Sequence, residues 1–112
     1  HALESLFGYS KKLLHGEAVS IGMSAAAQMS CAMGFCEKGD VVRLQKLLMR
    51  FKLPIKLKKP PELSEIKKYV LHDKKVRGGK PKFVVLKKIG SVENGIELSP
   101  RLWSSSIAGN LV

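Results

Sequence analysis

Aromatic side chains are scarce in this sequence. They make up 6% of its 112 residues, and tryptophan occurs only once. Surfaces that bind single-stranded nucleic acid stack the bases on several aromatic rings, so this composition argues against such a function. Hydrophobic residues nevertheless form 45% of the chain and charged residues 26%, which is typical of a globular domain and not of a disordered segment. The core must therefore be built mainly from aliphatic side chains.

Acidic residues are also few. The chain has nine of them and 20 lysines and arginines, which gives a formal net charge of +11. Much of the excess positive charge lies between residues 46 and 88. This charge predicts attraction to anions, namely nucleic acid, membrane surfaces or phosphorylated small molecules, without choosing among them. No nucleic-acid recognition motif is visible. A basic nucleic-acid-binding module is therefore kept only as an alternative.

Cysteines and long hydrophobic runs are nearly absent. Cys31 and Cys36 have C-x4-C spacing, unlike the C-x2-C of zinc knuckles and redox pairs, and we predict two buried free thiols in a reducing compartment. The apolar run at residues 18–33 is interrupted by serines and is shorter than the roughly 20 residues that span a bilayer. No signal peptide is recognisable. We expect a cytoplasmic protein without a membrane partner, and a fragment, because the first residue is not Met.

The hydrophobic periodicity predicts a mainly helical domain covering residues 1–112. Helices are predicted at residues 2–7, 15–34, 37 or 40 to 51, and 62–72. The second is apolar almost all round and is therefore expected to be buried on every side. In the fourth, Leu63, Ile66 and Val70 are expected to point inward.

A small β-hairpin is predicted near the C-terminal end. Residues 83–86 are apolar and β-branched, and residues 91–98 supply a partner strand, with Asn94-Gly95 turning the chain. Ser99-Pro100 is typical of a cap and first turn, so a last short helix is expected there. Residues 104–106 are predicted to begin a poorly ordered end.

His15 is the first candidate for chemistry. It lies at the start of the long predicted helix, where the helix dipole favours the neutral ring that a metal ion requires. The pattern alone is weak, because the chain contains no H-x3-H or H-E-x2-H pair, and a structural or merely exposed histidine is the alternative. His1 has no role that its position suggests. His72 is predicted to cap the end of its helix.

A basic loop is the second candidate. Its charged residues alternate with a Gly78-Gly79 pair, as in loops that close over a phosphate, although composition alone favours a solvated turn. These charged residues are Lys74, Lys75, Arg77 and Lys80. No phosphate loop, dinucleotide-binding motif or Ser-His-Asp set is recognisable. The residues by themselves do not name a reaction.

Three stretches together resemble the C-terminal half of the 3-dehydroquinate synthase family. They are residues 1–4, HALE; residues 14–23, LHGEAVSIGM; and residues 73–80, DKKVRGGK, which runs into FVVL and IG. The second string is specific to the wider group of sugar-phosphate cyclases, and the third favours dehydroquinate synthases within it. Leu53-Pro54 falls where the family has Gly-Leu-Pro, with Lys52 in place of the glycine. The resemblance extends to about Leu98.

The resemblance implies the mainly helical C-terminal half of a two-domain enzyme, whose N-terminal α/β domain binds NAD and is absent from this chain. The family holds a divalent metal ion, zinc or Co2+, between the domains. It converts 3-deoxy-D-arabino-heptulosonate 7-phosphate to 3-dehydroquinate and phosphate in the shikimate pathway. Members are commonly homodimers.

The resemblance also implies roles for single residues. His15 is a metal ligand that faces the substrate, His1 serves proton transfer near the substrate phosphate, and Lys74 contacts that phosphate. The family's other metal ligands and its NAD-binding segment have no counterpart here, so we expect the chain alone to be inactive and to bind zinc and NAD weakly or not at all. The alternatives are a 2-deoxy-scyllo-inosose or valiolone-type synthase, and a non-catalytic remnant.

Overall fold

The computed structural model describes residues 1–8, 12–59, 61–72 and 80–107. In order, its elements are α1 (Ala2–Leu6), α2 (His15–Ala32), α3 (Lys38–Arg50), α4 (Leu63–Leu71), β1 (Lys82–Lys88), β2 (Ser91–Glu97) and α5 (Pro100–Ile107). The predicted mainly helical class with a hairpin near the C-terminal end is confirmed. No helix in these ranges combines the length and apolarity that crossing a bilayer demands.

The 18-residue helix α2 is the centre of the fold, and it packs against α3, α5 and β1. Its first turn is closed by Glu17, whose carboxylate accepts the backbone N–H of Leu14 at 3.0 Å and lies at the positive end of the helix dipole. The expectation that this helix is buried on every side is wrong. Val19 and Met23 are exposed, because no described element covers that face.

Serines attach α2 to its neighbours. The sequence shows them as polar interruptions of an apolar run, but the structure buries them with hydrogen bonds that cross between elements. A buried hydroxyl is tolerated when it has such a partner. The hydroxyl of Ser20 donates to the carbonyl of Pro54 at 2.7 Å, and that of Ser106 on α5 donates to the carbonyl of Ala25 at 2.7 Å.

Two apolar clusters make up the core. One lies between α2, α4 and α5 and comprises Met29, Ile66, Val70, Leu98 and Trp103. The other holds α1 against the start of α2 and comprises Leu3, Leu13, Ala18, Ile21 and Leu57. The second cluster matters for the site, because it fixes the position of α1. The expectation that Leu63 points inward is wrong, since its side chain is exposed at the first residue of α4.

The hairpin turns at a different place from the one predicted. Its strands pair antiparallel through Lys88↔Ser91, so residues 89–90 make the turn, with Gly90 at φ +94°. Asn94-Gly95 lies inside β2, at an irregularity in the register where Gly95 has φ +71°. Left-handed backbone suits both a tight turn and a bulge, so the Asn-Gly pair does not distinguish the two from sequence.

The expectation that a poorly ordered end begins at residues 104–106 is also wrong. These residues belong to α5, and Ser104 and Ser106 are buried. The hydroxyl of Ser104 donates to the carbonyl of Pro100 at 2.6 Å, which satisfies it inside the helix. The beginning of α5 is as predicted. The hydroxyl of Ser99 accepts the N–H of Leu102 at 3.3 Å, and Pro100 is the first helical residue.

Candidate functional site

A cavity of about 490 Å³ lies where α1, α2 and the start of β1 meet. Its volume is within the range of small-molecule sites. Small side chains of α2 make much of its apolar wall, and Gly22 keeps that wall open. Its titratable lining groups are His1, Glu4, Lys80 and Lys82. A site with an apolar wall and a few charged groups can orient a polar, anionic ligand.

His1 and Glu4 reach the cavity from α1. His1 is the N-cap residue of this helix, and Glu4 lies in its first turn. The helix has only five residues and holds its place through buried Leu3, which packs in the cluster with Leu13 and Ile21. His1, predicted from the resemblance, is therefore found in the cavity wall.

His15, the first residue of α2, does not line this cavity, but it contacts Glu4, which does. Its Nδ1 lies 3.0 Å from Oε1 of Glu4, within hydrogen-bond distance. The imidazole side chain is 75% exposed, whereas the side chain of Glu4 is only 13% exposed. The pair thus connects α1 to α2 at the cavity edge. Sequence reasoning missed Glu4, because the two residues are 11 positions apart and no helical or strand spacing relates them.

Lysines approach the cavity from the other side. Lys80 was predicted as part of the basic loop, and Lys82, which begins β1, was not predicted. Both side chains are exposed, so they add positive charge without the cost of burying it. Lys74, predicted to contact a phosphate, lies outside the described residues.

A complete metal site is not formed by the described residues. Among them, no group of three or more His, Cys, Asp and Glu side chains is arranged to hold a metal ion. A catalytic zinc ion typically takes three protein ligands. The donor chemistry of His15 nevertheless fits a single ligand position, since an imidazole bonded to a carboxylate through one nitrogen has the other nitrogen directed away from it.

The two cysteines lie outside the cavity lining. Both are unpaired thiols, as predicted, but they are half-buried and not fully buried. Burial, with Cys31 and Asp40 nearby, raises the pKa of Cys36, and its thiol lies 3.8 Å from the carbonyl of Ala27. A raised pKa disfavours the thiolate that binds metals. His72 occupies the C-cap position of α4, and the capping role of its ring stays a prediction.

Comparison with known proteins decides the family. Residues 1–76 match the family described as 3-dehydroquinate synthase C-terminal. The chain belongs to this family. The match includes His1 and Glu4, which line the cavity, and His15, which bonds to Glu4.

Curated relatives of the family carry the same name. The chain is 46% identical over 90 residues to the 3-dehydroquinate synthase of Opitutus terrae, which covers 80% of this chain and 25% of the relative. It is 49% identical over 92 residues to that of Geotalea uraniireducens, an alignment that covers 81% of this chain and 25% of the relative. It is 38% identical over 110 residues to that of Acinetobacter baumannii, an alignment that covers 98% of this chain and 30% of the relative. The chain spans about a quarter of the length of the first two relatives.

Proposed function

We propose that residues 1–112 form the metal- and substrate-binding domain of a 3-dehydroquinate synthase. The complete enzyme converts 3-deoxy-D-arabino-heptulosonate 7-phosphate to 3-dehydroquinate and phosphate. One observation carries this proposal: in a chain of this family, His1, Glu4 and Lys80 line a single cavity, and His15 bonds to Glu4. The relatives' shared name favours this reaction over those of other sugar-phosphate cyclases.

His15 is one protein ligand of a divalent cation, zinc or Co2+. Its position at the first residue of α2 supports this role, because a side chain that is 75% exposed can be reached by a metal ion. When bound, the metal ion polarises substrate oxygens and NAD supplies the transient oxidation of the alcohol. The remaining metal ligands and the NAD site belong to an N-terminal domain that this chain does not include.

His1 moves a proton close to the substrate phosphate. An imidazole is suited to this task because its ordinary pKa range includes neutral pH. Lys74, Lys80 and Lys82 attract the phosphate and carboxylate of the substrate, and their charges stabilise the phosphate as it leaves. The net charge of +11 suits such an anionic substrate, although exposed lysines such as Lys46 and Lys87 lie outside the cavity lining.

The chain alone is expected to be inactive. A single metal ligand does not hold zinc tightly, and hydride transfer requires NAD, for which the chain carries no nucleotide-binding motif. We expect the complete protein to be a cytoplasmic homodimer.

The test is phosphate release from 3-deoxy-D-arabino-heptulosonate 7-phosphate by the full-length gene product, supplied with NAD and zinc. We expect turnover in the parent protein and its loss in His15→Ala. His72→Ala is the matched control, because this exposed histidine lies at the end of α4 and outside the cavity lining. No release from a folded, metal-loaded parent protein contradicts the proposal, and hexose phosphates would then be tested as substrates.

A further inference from the structure

The contact between Glu4 and His15 differs from an ordinary surface ion pair. Its two atoms, Oε1 and Nδ1, are 3.0 Å apart, and the carboxylate side is largely shielded from water. Ordering two fully exposed side chains contributes little to stability. Here the backbone on each side is already fixed, because Leu3, next to Glu4, and Leu13, two residues before His15, are buried in one cluster. The carboxylate is therefore held in place before it meets the ring.

A fixed carboxylate controls how an imidazole presents its second nitrogen. When Oε1 of Glu4 accepts a hydrogen bond from Nδ1–H of His15, the tautomer is set, and the lone pair lies on Nε2 at the far side of the ring. The exposed ring would otherwise rotate among several orientations. In metal sites a carboxylate or carbonyl group commonly plays this part for a ligating histidine.

We propose that Glu4 is a positioning residue for His15. Its carboxylate orients the imidazole so that Nε2 binds the divalent cation. This inference rests on the proposed function, because it presupposes that His15 is a metal ligand. The five-residue helix α1 would then contribute to the site in two ways. It positions His1, its N-cap residue, and through Glu4 it orients His15 of α2.

The test uses the full-length gene product, stripped of metal and titrated with Zn2+ against a chromogenic chelator. The variants are Glu4→Ala, Glu4→Gln and His15→Ala. Glu65→Gln is the matched control, because Glu65 also lies in the first turn of a helix, α4, but is exposed and outside the cavity lining. The visible absorption spectrum of the Co2+-loaded proteins gives a second reading, since its bands respond to the geometry of the ligands around the metal.

We expect Glu4→Ala to weaken Zn2+ binding roughly 10- to 100-fold, as removal of such outer partners does elsewhere. Glu4→Gln should lose less Zn2+ affinity, because its amide oxygen can still accept a hydrogen bond from Nδ1–H of His15. Glu65→Gln should bind Zn2+ as tightly as the parent protein. The Co2+ bands of Glu4→Ala should also shift. A merely structural role for Glu4 would lower the unfolding temperature and leave the Co2+ spectrum of the folded variant unchanged.

The contrary outcomes are distinguishable. If Glu4→Ala retains parental Zn2+ affinity and Co2+ spectrum while His15→Ala loses both, the positioning role is wrong and the proposed function stands. If His15→Ala also retains both, His15 is not a ligand, and the metal site of the proposed function fails as well. Should Glu4→Ala not fold, Glu4→Met replaces it, because its side chain is of similar length but its sulfur is a weak acceptor; an unchanged Zn2+ affinity and Co2+ spectrum in that variant overturns the inference.

Discussion

Lys52 occupies at the end of α3 the position that Gly34 occupies at the end of α2. Both have positive φ, +58° for Lys52 and +79° for Gly34. In each case the N–H of this residue and the N–H of the next residue donate back to carbonyls of the last helical turn, at 2.8–3.0 Å. This is the Schellman arrangement, in which glycine is favoured because it has no Cβ to clash in left-handed backbone. At Lys52 a side chain bears that strain.

Replacing Lys52 by glycine should therefore stabilise the chain. We expect the free energy of unfolding to rise by about 0.5–1 kcal/mol, since relief of left-handed strain outweighs the added freedom of glycine in the unfolded chain. Urea unfolding followed by circular dichroism measures this difference. Gly34→Ala is the reciprocal variant and should lower stability by about 1 kcal/mol. Equal stability of parent and Lys52→Gly would show that the strain at Lys52 is negligible.

The hydroxyl of Ser30 joins α2 to β1, and its loss should destabilise the fold. It donates to the carbonyl of Ala26 at 2.6 Å and accepts the N–H of Leu86 at 2.8 Å, in a fully buried position. Ser30→Ala leaves that N–H without its partner, which should cost about 1–3 kcal/mol. Hydrogen exchange should also accelerate at the Leu86 amide. The exposed Ser64→Ala is the control, and similar losses in both variants would contradict the prediction.

Cys36 should react with alkylating reagents only at higher pH than an ordinary thiol. Burial first, and then Cys31 and Asp40, raises its pKa, so the unreactive protonated form persists as pH increases through neutrality. Iodoacetamide labelling followed by peptide mass spectrometry gives the rate at Cys36 as a function of pH. In urea the profile should move to lower pH, because unfolding removes the burial. A folded-state profile that coincides with the unfolded one would refute the shift.

The helices were predictable because their causes are local. Apolar periodicity, the Gly34 stop and the Ser99-Pro100 start are all read within one or two turns of chain, and the structure has them as predicted. The position of the hairpin turn was not predictable in this way, since Asn94-Gly95 suits a bulge as well as a turn. Local patterns therefore fix the type of an element better than its register.

The candidate site was less accessible to sequence reasoning. His1 and His15 were singled out with roles through family resemblance, since their spacing matches no metal-binding motif. The Glu4–His15 bond and the approach of Lys82 to the cavity depend on how α1, α2 and β1 pack, which no single segment encodes. The exposed face of α2 at Val19 was missed for the same reason.

The lysines at the cavity should govern substrate affinity more than turnover. In the full-length gene product, Lys80→Ala and Lys82→Ala should each raise the KM for the phosphorylated substrate about fivefold, which corresponds to about 1 kcal/mol for an exposed charge pair. The inhibition constant for inorganic phosphate should rise in parallel. Because salt screens exposed charges, both effects should shrink as ionic strength increases.

Two other exposed lysines separate a local effect from one of net charge. Lys46→Ala on α3 and Lys87→Ala on β1 remove the same charge, but neither residue lines the cavity. We expect parental KM values for both. If all four variants raise the KM equally, the overall field of the protein attracts the substrate, and the cavity lysines have no specific part in binding it. A rise confined to Lys80 and Lys82 supports direct contact with the anion, because salt largely screens the interaction between exposed charges that lie farther apart than the screening length.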